Sequence, residues 1–121
     1  MKTRWITHNN KKILYVDCSN LAFDVAIVKA ELDTAISLAT IEPFNSVLTL
    51  TNMCDTKVSP EIFNLLKDTA AKVAPHAHKR AIVGVTGLQR SMLDLINKLA
   101  GKKTFSAFDD VEAAKNWLIV E

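Results

Sequence analysis

Lys79-Arg80-Ala81-Ile82-Val83-Gly84-Val85-Thr86-Gly87-Leu88-Gln89-Arg90 is the stretch whose reading decides the fold. Ala81 to Val85 is a continuous apolar run, the pattern of a central strand covered on both faces. Thr86 and Gln89 follow at capping-box spacing, and Leu88, Met92, Leu95, Ile96 and Leu99 recur behind them as a helical stripe. A buried strand that turns at once into a helix is the repeating unit of an α/β domain. The loop between them lies at the carboxyl edge of the sheet, where such folds usually place ligands.

The same unit extends in both directions. Upstream, Val47 to Thr51 predicts a strand, and Asn52 to Val58 a loop. Ser59-Pro60-Glu61 then supplies an N-cap, a preferred first helical residue and an acid at the positive helix end. Ile62, Leu66, Ala70 and Val73 line the inner face of that helix, and Pro75 ends it. Thr3 to His8 and Lys11 to Cys18 predict a hairpin turning at Asn9-Asn10, residues that tolerate positive φ. Ser19 or Asn20 is expected to cap a long helix reaching about Thr40. Leu21, Val25, Val28, Leu32, Ala35 and Ala39 form its stripe, Phe23, Ile27, Ala30 and Ile36 broaden it, and Pro43 stops it. Downstream, Gly101 is a natural C-terminal cap and Thr104 to Phe108 a short strand. Asp109-Asp110-Val111-Glu112 is a second capping box, opening a helix with Val111, Ala114, Trp117 and Leu118 inward.

The resulting order, β-β-α-β-α-β-α-β-α, predicts an α/β fold over residues 1–121 as one domain, with a mixed four- to five-stranded sheet and about four helices. Right-handed crossovers make the strands largely parallel, with the N-terminal strand antiparallel at an edge or beside the second strand.

Composition narrows the function classes. The 121 residues are 49% hydrophobic and 23% charged, a globular balance with enough length for a core without disulfides or metals. Net charge is +2 with Lys and Arg scattered, so no basic stripe for nucleic acid exists. Cys18 and Cys54 are the only cysteines. No apolar targeting segment precedes the first strand, so a cytosolic chain with reduced thiols is expected. The longest apolar region, Leu21 to Ile41, is interrupted by Asp24, Lys29, Glu31 and Asp33 and cannot span a bilayer.

Three segments carry a family resemblance: Val47-Leu48-Thr49-Leu50-Thr51-Asn52, Arg80 through Leu88, and Phe108-Asp109-Asp110-Val111-Glu112-Ala113-Ala114-Lys115-Asn116-Trp117-Leu118. With the element order, they resemble the STAS-like domains, the fold of bacterial anti-sigma-factor antagonists, and especially a divergent branch that shares features with a lipid-binding superfamily. The resemblance spans nearly the whole chain and implies a signalling module. Members that act as phosphorylation switches carry Asp-Ser-Ser or Asp-Ser-Gly where the helix begins. Here the region reads Asp55-Thr56-Lys57-Val58-Ser59-Pro60-Glu61, with Pro60 where the phosphoacceptor would stand, so no phosphorylation site is carried over.

With a parallel sheet, Asp17, Ser19, Asn52, Cys54, Asp55, Thr86 and Gly87 gather at one edge beside three helix N-termini, a setting that favours an anion. The ligand-binding candidates are Asp17, Asn52, Asp55, Thr86, Gly87 and Arg90, the last adding a charge-assisted contact. Ser19, Asn52 and Thr86 also have adequate local roles as caps or turn formers.

Gly84-Val85-Thr86-Gly87 lacks the Lys-Ser/Thr of a P-loop and the third Gly of a dinucleotide loop. His76 and His78 are an incomplete ligand set, so no metal is expected. Cys18 and Cys54 approach each other at neighbouring strand ends without a histidine, and Asp17 with Asp55 has no acid partner or sugar-binding aromatics. No catalytic residue and no cofactor is therefore expected. The reading is a non-enzymatic protein-interaction or signalling module, with another protein or a second copy as partner. The extra apolar face of the first helix is read first as core covered by a neighbouring element and next as a dimer surface. The alternative is a domain that binds or senses a small apolar or anionic, lipid-like ligand.

Overall fold

The computed structural model describes residues 1–100 and 103–120. Among them the order is β1 (Arg4–His8), β2 (Lys11–Asp17), α1 (Val25–Ala39), β3 (Val47–Asn52), α2 (Pro60–Val73), β4 (Ala77–Val83), α3 (Leu88–Ala100), β5 (Phe105–Phe108) and α4 (Val111–Leu118). The described strands form one five-stranded sheet in the order β1-β2-β3-β4-β5. β1 is antiparallel to β2 at the edge, and every other pairing is parallel. This is the mixed α/β architecture that the element order predicts. The hairpin turns at Asn9 and Asn10, with φ of 48° and 66°, the two positive values that a type I′ turn requires.

Two cores follow from the alternation of strand side chains. Leu14, Val16 and Ile82 face α1, α2 and α3, meeting Val28 and Leu32, Ile62 and Val73, and Leu93. Ile13, Leu50, Ala81 and Val83 face the other way, against Ala114 and Leu118 of α4. Each fully buried aliphatic side chain contributes about 1.5–3 kcal/mol, so these two layers are the main source of cohesion.

Several local expectations are corrected. α1 begins at Val25, not after Ser19 or Asn20, and its N-cap is Asp24, which accepts the Ile27 amide. Asn20 and Ala22 take positive φ of 59° and 50°, and the segment runs beside Thr56 instead of coiling. β4 starts at Ala77 and stops at Val83, because Gly84 turns the chain with φ of 87°. Only glycine fits there: a Cβ would lie 2.4 Å from the Cys54 amide nitrogen.

The Thr86–Gln89 capping box does not form. The Gln89 amide bonds the Thr86 carbonyl, and the Gln89 side chain reaches Thr56 instead. The α4 cap is Asp110, one residue beyond the Asp109 of the box pattern, accepting from the Ala113 amide at 2.7 Å. On α3 Leu93 and Ile96 are buried, whereas Leu95 and Leu99 are exposed. The wall facing Leu99 is Ala70, Ala71 and Ala74 of α2, too short to cover it. Phe23, just before α1, and Ile27 on it are likewise exposed, and Glu31 is buried in the stripe. Ser59, Pro60 and Glu61 open α2 as expected, with Ser59 accepting from Ile62. The Gly101 cap lies outside the described residues.

Candidate functional site

The parallel register sets Asp17, Asn52, Val83 and Phe108 in one row at the carboxyl ends of β2, β3, β4 and β5. Two loops rise from this row and knit together. Cys18, Asn20 and Ala22 donate to the carbonyls of Asn52, Cys54 and Asp55, and Lys57 donates back to Ala22. Thr56 is the centre of the seam and is 2% exposed. Its hydroxyl donates to the Cys18 carbonyl at 2.5 Å and accepts from the Leu21 amide at 3.0 Å. Its carbonyl accepts from the Gln89 side chain at 2.9 Å, which ties α3 into the seam.

Asp17 and Asn52 therefore meet as neighbours, and their polar atoms are occupied. Asp17 accepts from the Ser19 amide and hydroxyl, with Lys2 at 3.5 Å and Arg4 at 3.9 Å. Asn52 donates to the Tyr15 hydroxyl and accepts from the Cys54 amide, closing its own turn. Asp55 is exposed with φ of 59°, a strained left-handed position that an acidic residue tolerates. Thr86, Gly87 and Arg90 are exposed at the start of α3.

The two cysteines do not pair. Cys18 is buried in the core under α1–α3, and Cys54 packs on the α4 side. Burial, with Glu31 and Asp17 adding negative charge, pushes the Cys18 thiol up to about 12, which keeps it protonated and inert at neutral pH. His76 bonds the Glu42 carbonyl and lies 5.0 Å from the Phe44 ring, and His78 is exposed. His8 bonds the Asn116 side chain at the far side of the molecule.

A second polar locus lies inside the core under the helices, and sequence reasoning passed over it. Thr49 and Arg80 are register partners on β3 and β4, 4% and 2% exposed. The guanidinium of Arg80 donates to the Ala70 carbonyl at 2.5 Å and the Lys103 carbonyl at 3.1 Å, and stacks 4.7 Å from the Phe105 ring. Among the described residues no carboxylate pairs with it. Burial lowers its pKa to about 10, so it stays charged at neutral pH. The Thr49 hydroxyl has no hydrogen-bond partner among the described residues. Both side chains line a cavity of about 50 Å³ whose other walls include Val16, Leu32, Leu93 and Ile96. Starting the strand at Ala77 would have placed Arg80 at its centre, which is the signal the sequence offered.

No protein-family model matches this chain, and neither a curated protein nor a solved structure matches it. No helix among the described residues is long and apolar enough to cross a membrane.

Proposed function

We propose that this chain is a non-enzymatic protein-interaction module of STAS-like type, working in the cytoplasm without a phosphorylation switch. The observation that carries the reading is the fate of the hydroxyls around the start of α2. Ser59 is held as the α2 cap, with Pro60 at the first helical position, and Thr56 is buried in the seam. A kinase would have to unpick a helix cap or a loop junction to reach either one.

The absence of an activated nucleophile supports the non-enzymatic part: the Cys18 thiol is raised to about 12 and Asp17 is occupied by Ser19 and Lys2. The free thiols are in keeping with a reducing compartment. For docking, Phe23 and Ile27 leave apolar surface exposed at the N-terminal end of α1, where a second copy or another protein can bury it.

Sedimentation velocity at high micromolar concentration tests self-association, with Phe23→Ser and Ile27→Ser variants expected to abolish it. A clean monomer that captures no partner through this face would sink the interaction reading. Incubation with cell lysate and ATP tests the switch, and stoichiometric phosphate on Thr56 or Ser59 would overturn that part.

A further inference from the structure

We propose that the cavity between the sheet and α2 and α3 binds a small alkyl carboxylate, with Arg80 and Thr49 holding the carboxylate and the apolar walls holding the tail. The site is independent of the interaction reading, since it lies inside the core and uses none of the exposed residues of α1.

Three observations converge on it. Arg80 is a buried cation whose described partners are neutral carbonyls, whereas buried charges are ordinarily paired. Thr49, its register partner, lines the same cavity and carries a buried hydroxyl with no hydrogen-bond partner among the described residues. The remaining walls are largely aliphatic, so the space accepts one charged end and one greasy end.

The chemistry selects a carboxylate. A guanidinium offers a planar fork of five donors, of which the Ala70 and Lys103 carbonyls account for two. A carboxylate accepts two parallel bonds from such a fork and still has a lone pair for the Thr49 hydroxyl. One negative charge neutralises one Arg, whereas a dianionic phosphate would leave excess charge in an apolar wall. The anchors are fixed in advance, because the two carbonyls and the Phe105 ring hold the guanidinium in place.

Size sets the class further. At roughly 10–15 Å³ for each water-sized group, the cavity of about 50 Å³ takes about three to five such groups, the scale of propionate, with the last carbon of butyrate reaching beyond it. The proposed way in is between α2 and α3, where a surface groove of about 280 Å³ shares Ala70 and Ile96 with the cavity. A longer tail can extend into that groove.

The test is calorimetric titration of the full chain with the sodium salts from propionate to hexanoate, with 1-butanol, butylammonium and inorganic phosphate as controls. Butyrate is expected to bind at least about tenfold more tightly than any control, the loss of one charge-assisted pair. Thr49→Val keeps the side chain's size and the fold, checked by circular dichroism, and is expected to weaken butyrate about three- to tenfold. Ala35→Val fills the cavity from the α1 side, away from the Ala70 and Lys103 carbonyls, and is expected to remove binding without touching either anchor. Equal affinity for butyrate and butanol would overturn the proposal. So would equal binding by wild type and Thr49→Val, or no heat with any carboxylate, which would leave a cavity that holds water only.

Discussion

Lys79 and Arg80 are adjacent in the chain and hold helices on opposite faces of the sheet. Lys79 Nζ donates to the Trp117 carbonyl and, at 3.0 Å, to the Val120 carbonyl, and lies 4.0 Å over the Trp117 ring. Arg80 turns the other way to the Ala70 carbonyl in the last turn of α2. Each cation sits at the negative end of a helix, where the macrodipole favours it. One dipeptide of β4 thus fixes the ends of α4 and α2 together.

Replacing Lys79 by Met is expected to cost about 1–3 kcal/mol, from lost charged hydrogen bonds and the cation–π contact. Urea denaturation followed by tryptophan fluorescence measures it. An unchanged midpoint would mean that Ala114 and Leu118 hold α4 without help.

Gly84→Ala tests the close approach of the two loops. Its φ of 87° and the 2.4 Å separation of a Cβ from the Cys54 nitrogen leave no room for relaxation. A loss of about 3 kcal/mol or more is expected, read as a collapsed thermal transition or failure to fold. A melting temperature near that of wild type would show that the seam can open.

Thr56 and Thr86 are predicted to differ sharply although both stand in strand-end loops. Thr56→Val leaves the Leu21 amide and Cys18 carbonyl without their partner and should cost about 2–3 kcal/mol, with Thr56→Ser recovering most of it. Thr86→Ala should stay within about 0.5 kcal/mol, because that exposed side chain caps nothing and the Gln89 amide uses the backbone carbonyl. Equal losses in chemical denaturation would contradict the seam.

Glu31 makes stability depend on pH. Burial by itself would raise its pKa, but the Thr3 side chain and the Thr3 and Lys2 amides favour the carboxylate and bring it below 4.5. A depressed folded value means that the contribution is fully present above 4.5 and is lost as pH falls through the lower folded value. Denaturation midpoints at a series of pH values should fall across that acidic range in wild type and fall less in Glu31→Gln. Parallel curves would show that Glu31 does not carry the effect.

What could be read in advance was what local chemistry dictates. Asn9-Asn10, Ser59-Pro60 and the apolar residues of β2 and β3 name their own structures, because turn conformations, caps and burial are set by the residues themselves. The start of α1 could not be read that way: Ser19 and Asn20 are good caps, yet hydrogen bonds to a loop more than thirty residues away hold that segment out of the helix. Gly84 is a similar case, since only the approach of Cys54 shows why the strand stops there. Asp17 and Asn52 stand as register neighbours at the candidate edge, but the occupation of Asp17 by Ser19 and Lys2 is a tertiary fact. Thr49 and Arg80 escaped notice because polar residues inside a strand signal nothing until both faces of the sheet are known to be covered.

The strand order β1-β2-β3-β4-β5 also bears on how the chain folds. Each strand pairs with its predecessor, so no strand waits for a partner made much later, and every closure spans a hairpin turn or a single crossover. Loop-closure entropy rises only logarithmically with such spans, and low separation between pairing partners favours fast folding. The sheet can therefore grow on the ribosome one strand at a time, each new edge serving as template for the next.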